Sequence, residues 1–98
     1  FAKIWDAHVV ADLGEDVSLI AIDRIFLHER TGAAALKSLA EAGRAVADPA
    51  RVFAVMDHIV DTRPGRGDGT LMAGGAGFIT ETRAACRDAD ITLFDVND

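Results

Sequence analysis

The sequence predicts an α/β chain built on a short, mainly parallel sheet. Three observations carry this. Apolar runs at Val17-Ser18-Leu19-Ile20-Ala21-Ile22, Val52-Phe53-Ala54-Val55-Met56 and Ile91-Thr92-Leu93-Phe94 are separated by segments with helical spacing, and strands that alternate with helices favour parallel pairing through right-handed crossovers. Half of the 98 residues are apolar, enough to drive folding. Gly and Asp-Pro punctuation falls between the periodic segments.

From the first residue, Ile4, His8 and Ala11 share one helical face and Trp5 and Val9 another, so a short amphipathic helix is expected within residues 1–12. Gly14 and Asp16 turn the chain into the first predicted strand, Val17 to Ile22, which ends at Asp23-Arg24. The segment from Ile25 to Gly32 is open to two readings, an extension of that strand or a loop over the sheet edge. A helix over Ala33 to Ala42 follows, with Ala33, Leu36, Leu39 and Ala40 as its apolar stripe, Lys37 and Glu41 on the wet side and Gly43 as its stop. Asp48-Pro49 turns into the second strand. Residues 61–69 are polar and Gly-rich, a loop that is either functional or mobile. A helix over Phe78 to Arg87 and a third strand over Ile91 to Phe94 complete the order.

Composition excludes several function classes. Ten Lys and Arg against sixteen Asp and Glu give a formal charge of −6, which argues against nonspecific binding to nucleic acid or to an anionic membrane. No apolar stretch approaches the roughly 20 residues of a membrane span. One cysteine, Cys86, excludes an internal disulfide and cannot alone hold an iron–sulfur cluster. It lies in a helical pattern and reads as a small core residue. No secretion signal is visible, so a cytoplasmic location is the default.

The chemistry-bearing feature is Asp57-His58 at the end of the second apolar run. Ligands of α/β sheets bind at the carboxyl ends of strands, and a carboxylate beside an imidazole can move a proton near neutral pH. His58 is open to two roles, a general acid or an imidazole satisfied by a backbone carbonyl. Neighbouring side chains in a regular strand face opposite ways, so Asp57 and His58 can meet only if the backbone turns there. The alternative for Asp57 is a loop cap. His28, in Leu27-His28-Glu29-Arg30-Thr31, stands before a helix whose free amides suit an anion, although a surface imidazole fits the same pattern. Arg63 and Arg66 offer a carboxylate clamp or are simply solvated. The runs Gly65-Arg66-Gly67-Asp68-Gly69 and Gly74-Gly75-Ala76-Gly77 lack the spacing of a phosphate loop. No Cys/His spacing makes a zinc site.

Taken in order, Lys3-Ile4-Trp5-Asp6-Ala7-His8-Val9-Val10, Ile22-Asp23-Arg24, Leu27-His28-Glu29-Arg30-Thr31 and Phe53-Ala54-Val55-Met56-Asp57-His58 resemble the N-terminal part of the large subunits of 3-isopropylmalate dehydratases, within the aconitase superfamily. The resemblance runs from about Lys3 to Asp98. It implies a three-layer α/β/α fragment, with residues 1–98 forming a single segment of a larger large subunit. It implies a hydro-lyase that removes water from, and adds it to, a hydroxy-dicarboxylate such as isopropylmalate or a related malate derivative. It further implies that His58 and Asp57 are catalytic, as an acid-side imidazole and its partner, and that His28 and Thr31 contact substrate. The cofactor implied is a 4Fe-4S cluster with ligands outside this chain. The partners implied are the substrate, the rest of the large subunit and a small, swivelling-domain subunit that brings the base. Alone, the segment is expected to be inactive and to expose hydrophobic surface.

The sequence departs from the family in two places. Ile59-Val60-Asp61-Thr62 stands where Asn-Val-Ser-Thr is usual, and Gly32 where Ser is usual. Both point to a paralogue acting on a related hydroxy-diacid. Two other functions stay open at this point: a stand-alone, non-catalytic α/β protein-interaction module, and a small metal-free enzyme using Asp57 and His58.

Overall fold

The computed structural model describes all 98 residues. Helix α1 (Ala2–His8) leads directly into strand β1 (Val9–Gly14), which forms an antiparallel hairpin with β2 (Val17–Ile20). The parallel sheet begins with β3 (Ile25–His28), followed by helix α2 (Gly32–Glu41), strand β4 (Val52–Val55), helix α3 (Gly75–Asp88) and strand β5 (Thr92–Phe94). Its order is β3-β4-β5, all parallel.

Two expectations are corrected here. The helix expected within residues 1–12 ends at His8, because Val9 and Val10 are β-branched and suit an extended backbone. The run Val17–Ile22 is not the first strand of the parallel sheet. Only Val17–Ile20 is extended, it pairs with β1, and Val17, Leu19 and Ile20 are exposed. The turn between β1 and β2 places Gly14, Glu15 and Asp16 all at positive φ, which closes the hairpin locally. The open segment Ile25 to Gly32 resolves as a strand over its first four residues.

The sheet and two helices share one core. Leu36 of α2, Val52 and Ala54 of β4, Cys86 of α3 and Ile91 are buried together, with Leu27 and Leu93 packed against them. Alternation along β4 is the reason: Val52 and Ala54 face the helices while Phe53 and Val55 point to the other side. A second cluster, Met56, Val60 and Ile79, anchors the start of the long β4–α3 connection on α3.

Both helices lie on the same face of the sheet, as two right-handed crossovers running in one direction require. These residues therefore build two of the three expected layers. On the uncovered face, Phe26, Phe53 and Phe94 stack in a row across the strands, with ring centroids 5.7 and 6.2 Å apart. Phe26 and Phe94 are largely exposed. The α/β class and the parallel sheet are as the sequence predicts.

Two ion-pair systems fasten the periphery. His8 joins the Ile4 carbonyl at 2.6 Å and Asp23 at 3.4 Å, a structural clasp between α1 and the segment after β2. The Ile4 carbonyl, then the Asp23 carboxylate, raise the His8 imidazole above its ordinary value. Arg83 of α3 forks onto Asp95, at 2.7 and 2.9 Å, and reaches Asp68 in the loop at 3.2 Å. The Arg83 guanidinium holds the Asp95 carboxyl below its ordinary value of 3.8. A lowered folded value means that this contribution is fully present above the ordinary carboxylate value and is lost as pH falls through the lowered one. We predict that Asp95→Asn costs about 1 kcal/mol at neutral pH, read as a fall in the urea midpoint. The gap between variant and wild type should narrow as the pH is lowered below the ordinary carboxylate value.

Candidate active site at the carboxyl edge of the sheet

The β3 and β4 strands end side by side, with His28 paired to Val55 in the ladder. Each strand therefore releases its next residues at the same edge. From β3 come His28, Glu29 and, at the entrance to α2, Thr31. From β4 come Met56, Asp57 and His58.

The geometry here is set by Glu29. Its side chain is fully buried, and it sits beneath the bend that follows β4. One carboxylate oxygen accepts the Asp57 backbone N–H at 3.2 Å. The other accepts the His58 N–H at 2.6 Å and the Ile59 N–H. Removing a carboxylate from water costs several kcal/mol. Hydrogen bonds to a charged acceptor return about 1.5–3 kcal/mol each, so three of them bring the burial near balance. The Glu29 backbone carbonyl is held in turn by the Thr82 hydroxyl of α3, which donates at 3.1 Å and is itself buried. A single residue thus ties β3, the β4 exit and α3 together.

Because the chain bends over this carboxylate, adjacent side chains can meet. His58 Nδ1 lies 2.7 Å from Asp57 Oδ1. The His58 ring stacks on His28, with centroids 4.0 Å apart and planes 17° from parallel. The Thr31 hydroxyl lies 3.4 Å from His28 Nε2 rather than capping α2. His28 Nδ1 is buried without a partner, an uncompensated polar atom of the kind that concentrates at functional sites. The structure brings all four sequence-predicted site residues, His28, Thr31, Asp57 and His58, into one cluster.

The floor of the bend is equally constrained. The Thr70 hydroxyl donates to the Ile59 carbonyl, so Ile59 is held at both its amide and its carbonyl. Gly74 opens α3 in the left-handed region, at φ 77°. Gly75 packs so closely that a Cβ there would stand 2.7 Å from Ile59 Cγ2 and 2.7 Å from Thr70 Cγ2. The Gly74-Gly75 pair is thereby explained by a backbone turn and a close approach, with no phosphate required. Arg63 and Arg66 are not a free clamp either. Arg63 pairs with Asp61 at 3.0 Å, and Arg66 donates to the Asp61 carbonyl at 3.1 Å. Arg63 hydrogen bonding pulls the Asp61 carboxyl below its usual range.

His28, Glu29 and His58 present three potential metal-ligating atoms within 4.8 Å of one another. Both Glu29 oxygens are already committed to backbone amides. The trio is a positioning network rather than a ready ion cage. Cys86 is sealed in the core, and burial pushes its thiol up.

Comparison with known proteins places the chain in a family. Residues 2–76 match the aconitase family (aconitate hydratase). This chain belongs to the aconitase family. It is also 38% identical, over 99 aligned positions, to 3-isopropylmalate dehydratase large subunit 1 of Bradyrhizobium diazoefficiens, a match that covers 98% of this chain and 20% of that protein. The chain thus spans about a fifth of the length of the curated relative it matches. No solved structure matches it. The matched region of this aconitase-family chain contains every residue of the stacked imidazole cluster and extends through Gly75, which packs against Ile59.

Sequence reasoning missed three members of this cluster: Glu29, Thr82 and Thr70. Their partners are main-chain groups, and main-chain groups leave no residue pattern to read. The one available signal for Glu29 was its place directly after a strand-ending imidazole.

We predict that Gly75→Ala destabilises the fold by about 1–3 kcal/mol, measured as a lower denaturation midpoint, because Ile59 and Thr70 must both move. Gly77→Ala, which meets open space, should be close to neutral by the same assay.

Proposed function

We propose that this chain is the N-terminal part of the large subunit of an aconitase-family hydro-lyase, one that dehydrates and rehydrates a hydroxy-dicarboxylate such as isopropylmalate or a related malate derivative. The observation that carries the reading is the Asp57–His58–His28 arrangement at the carboxyl edge of a parallel sheet. The family match and the relative's printed name support the reaction class.

The chemistry follows from the atoms. Asp57 Oδ1 engages His58 Nδ1, which leaves Nε2 as the working nitrogen. The His58 side chain is 49% exposed, so a substrate can reach it. In dehydration, a protonated His58 gives its Nε2 proton to the departing hydroxyl, which leaves as water. In hydration, neutral His58 takes that proton back from the attacking water, and the two directions share one site. Stacking on His28 limits rotation of the His58 ring, so the proton is presented in one direction. Thr31, uncommitted as a helix cap, and the first amides of α2 stand beside the cluster and suit a substrate carboxylate.

The resemblance implies a 4Fe-4S cluster. The residues here do not fit it as ligands: such clusters take several thiolates, and Cys86 is buried away from this edge in the helix–sheet core. In this proposal the cluster ligands belong to other parts of the polypeptide. The uncovered phenylalanine face meets the rest of the large subunit, and a small subunit brings the base.

The test is His58→Ala in the full polypeptide with its partner subunit. Dehydration of the preferred hydroxy-diacid should slow about 10²–10⁴-fold. Turnover at the wild-type rate on every hydroxy-diacid tried would remove the acid role.

A further inference from the structure

We propose that Glu29 is a positioning residue of this site, acting on the reacting groups through the backbone of Asp57, His58 and Ile59. The inference rests on the catalytic reading of His58 given above and extends it to a residue that does not touch substrate.

Glu29 is a fully buried acid with no role in the proton transfer itself. It takes part in none of the ion pairs of the structure. Its charge is answered by three consecutive amides, a concave run of N–H groups of the kind that holds anions. Three consecutive amides can converge on one carboxylate only if the strand has ended and the chain has curled. That curl is what allows Asp57 Oδ1 to reach His58 Nδ1, since the two side chains would diverge in an extended backbone. The same residue follows His28 directly, so it fixes both partners of the ring stack, one through the chain and one through space. The Thr82 hydroxyl completes the device by holding the Glu29 carbonyl against α3.

The alternative is a buried acid that merely stabilises the fold, and the two roles differ in what they change. A positioning role predicts a loss in kcat with little change in KM, because His58 acts on the departing hydroxyl rather than on overall substrate affinity. It also predicts that the bend itself opens.

The test uses the full polypeptide with its partner subunit. Glu29→Gln keeps the volume but turns one acceptor oxygen into an NH2 group that faces backbone N–H. Kcat per folded active site should fall about 10²-fold, the scale of a misplacement near 1 Å, with KM within about threefold of wild type. Hydrogen exchange of the peptide containing residues 57–59 should speed up. Thr82→Val, which removes only the hydroxyl, should lower kcat in the same sense by a smaller factor. It serves as the measure where the Gln variant does not fold. Wild-type kcat in the folded Gln variant, or protection of residues 57–59 left intact, would overturn the proposal. So would wild-type kcat in Thr82→Val where Gln fails to fold. His58→Ala is run alongside. If it is impaired while the Glu29 and Thr82 variants are not, positioning alone fails. If His58→Ala turns over normally, both readings fall.

Discussion

A single carboxylate, buried under the turn that follows β4, holds this part of the fold in shape. Glu29 gathers three backbone amides that would otherwise be unpaired where β4 leaves the sheet. Such amides are costly to bury unsatisfied, and an acid is costly to bury uncompensated. Each cost is offset only by the other. The arrangement is therefore close to all-or-none, and it fixes the positions of His28, Asp57 and His58 without using any of their side chains in the bonds to Glu29. The site is placed by main-chain geometry, and the side chains that can act on a ligand stay free to do so.

The helices contribute from below. Gly75 lets α3 approach Ile59 to a distance no larger residue allows, and Thr70 and Thr82 bond the loop and the β3 exit to that helix region. Arg83 then ties α3 to Asp95 after β5 and to Asp68 in the connection. The long β4–α3 connection, polar and Gly-rich, is thus attached at its start by Glu29, near its end by Thr70 and Gly75, and in between by Arg83. The sheet's other face carries the Phe26–Phe53–Phe94 row and receives no helix from these residues.

Much of this was legible in the sequence because it rests on side-chain periodicity. The stripe Ala33, Leu36, Leu39 and Ala40 marked α2, and the face shared by Phe78, Thr82 and Ala85, with Ile79 and Cys86 adjacent, marked α3. The apolar run from Val52 located the strand that leads to Asp57 and His58. The N-terminal third was harder to read. Val17–Ile22 is as apolar as a central strand, yet its pairing with Val9–Gly14 depends on a turn of three residues at positive φ, two of them acidic. Hydropathy does not report on that geometry. His58 was legible as a strand-end imidazole and His28 as one standing before a helix, whereas Glu29 was not. A surface-type residue in a charged string gives no sign that amides 28 to 30 positions later will close around it.

The most direct test of this account is an experimental structure of the full-length protein at a resolution that places side chains. The account predicts the Glu29 carboxylate within hydrogen-bonding distance of the Asp57, His58 and Ile59 amides, with the His28 and His58 rings face to face. A Glu29 side chain turned into solvent, or the two rings on separate surfaces while the bend persists, would contradict it.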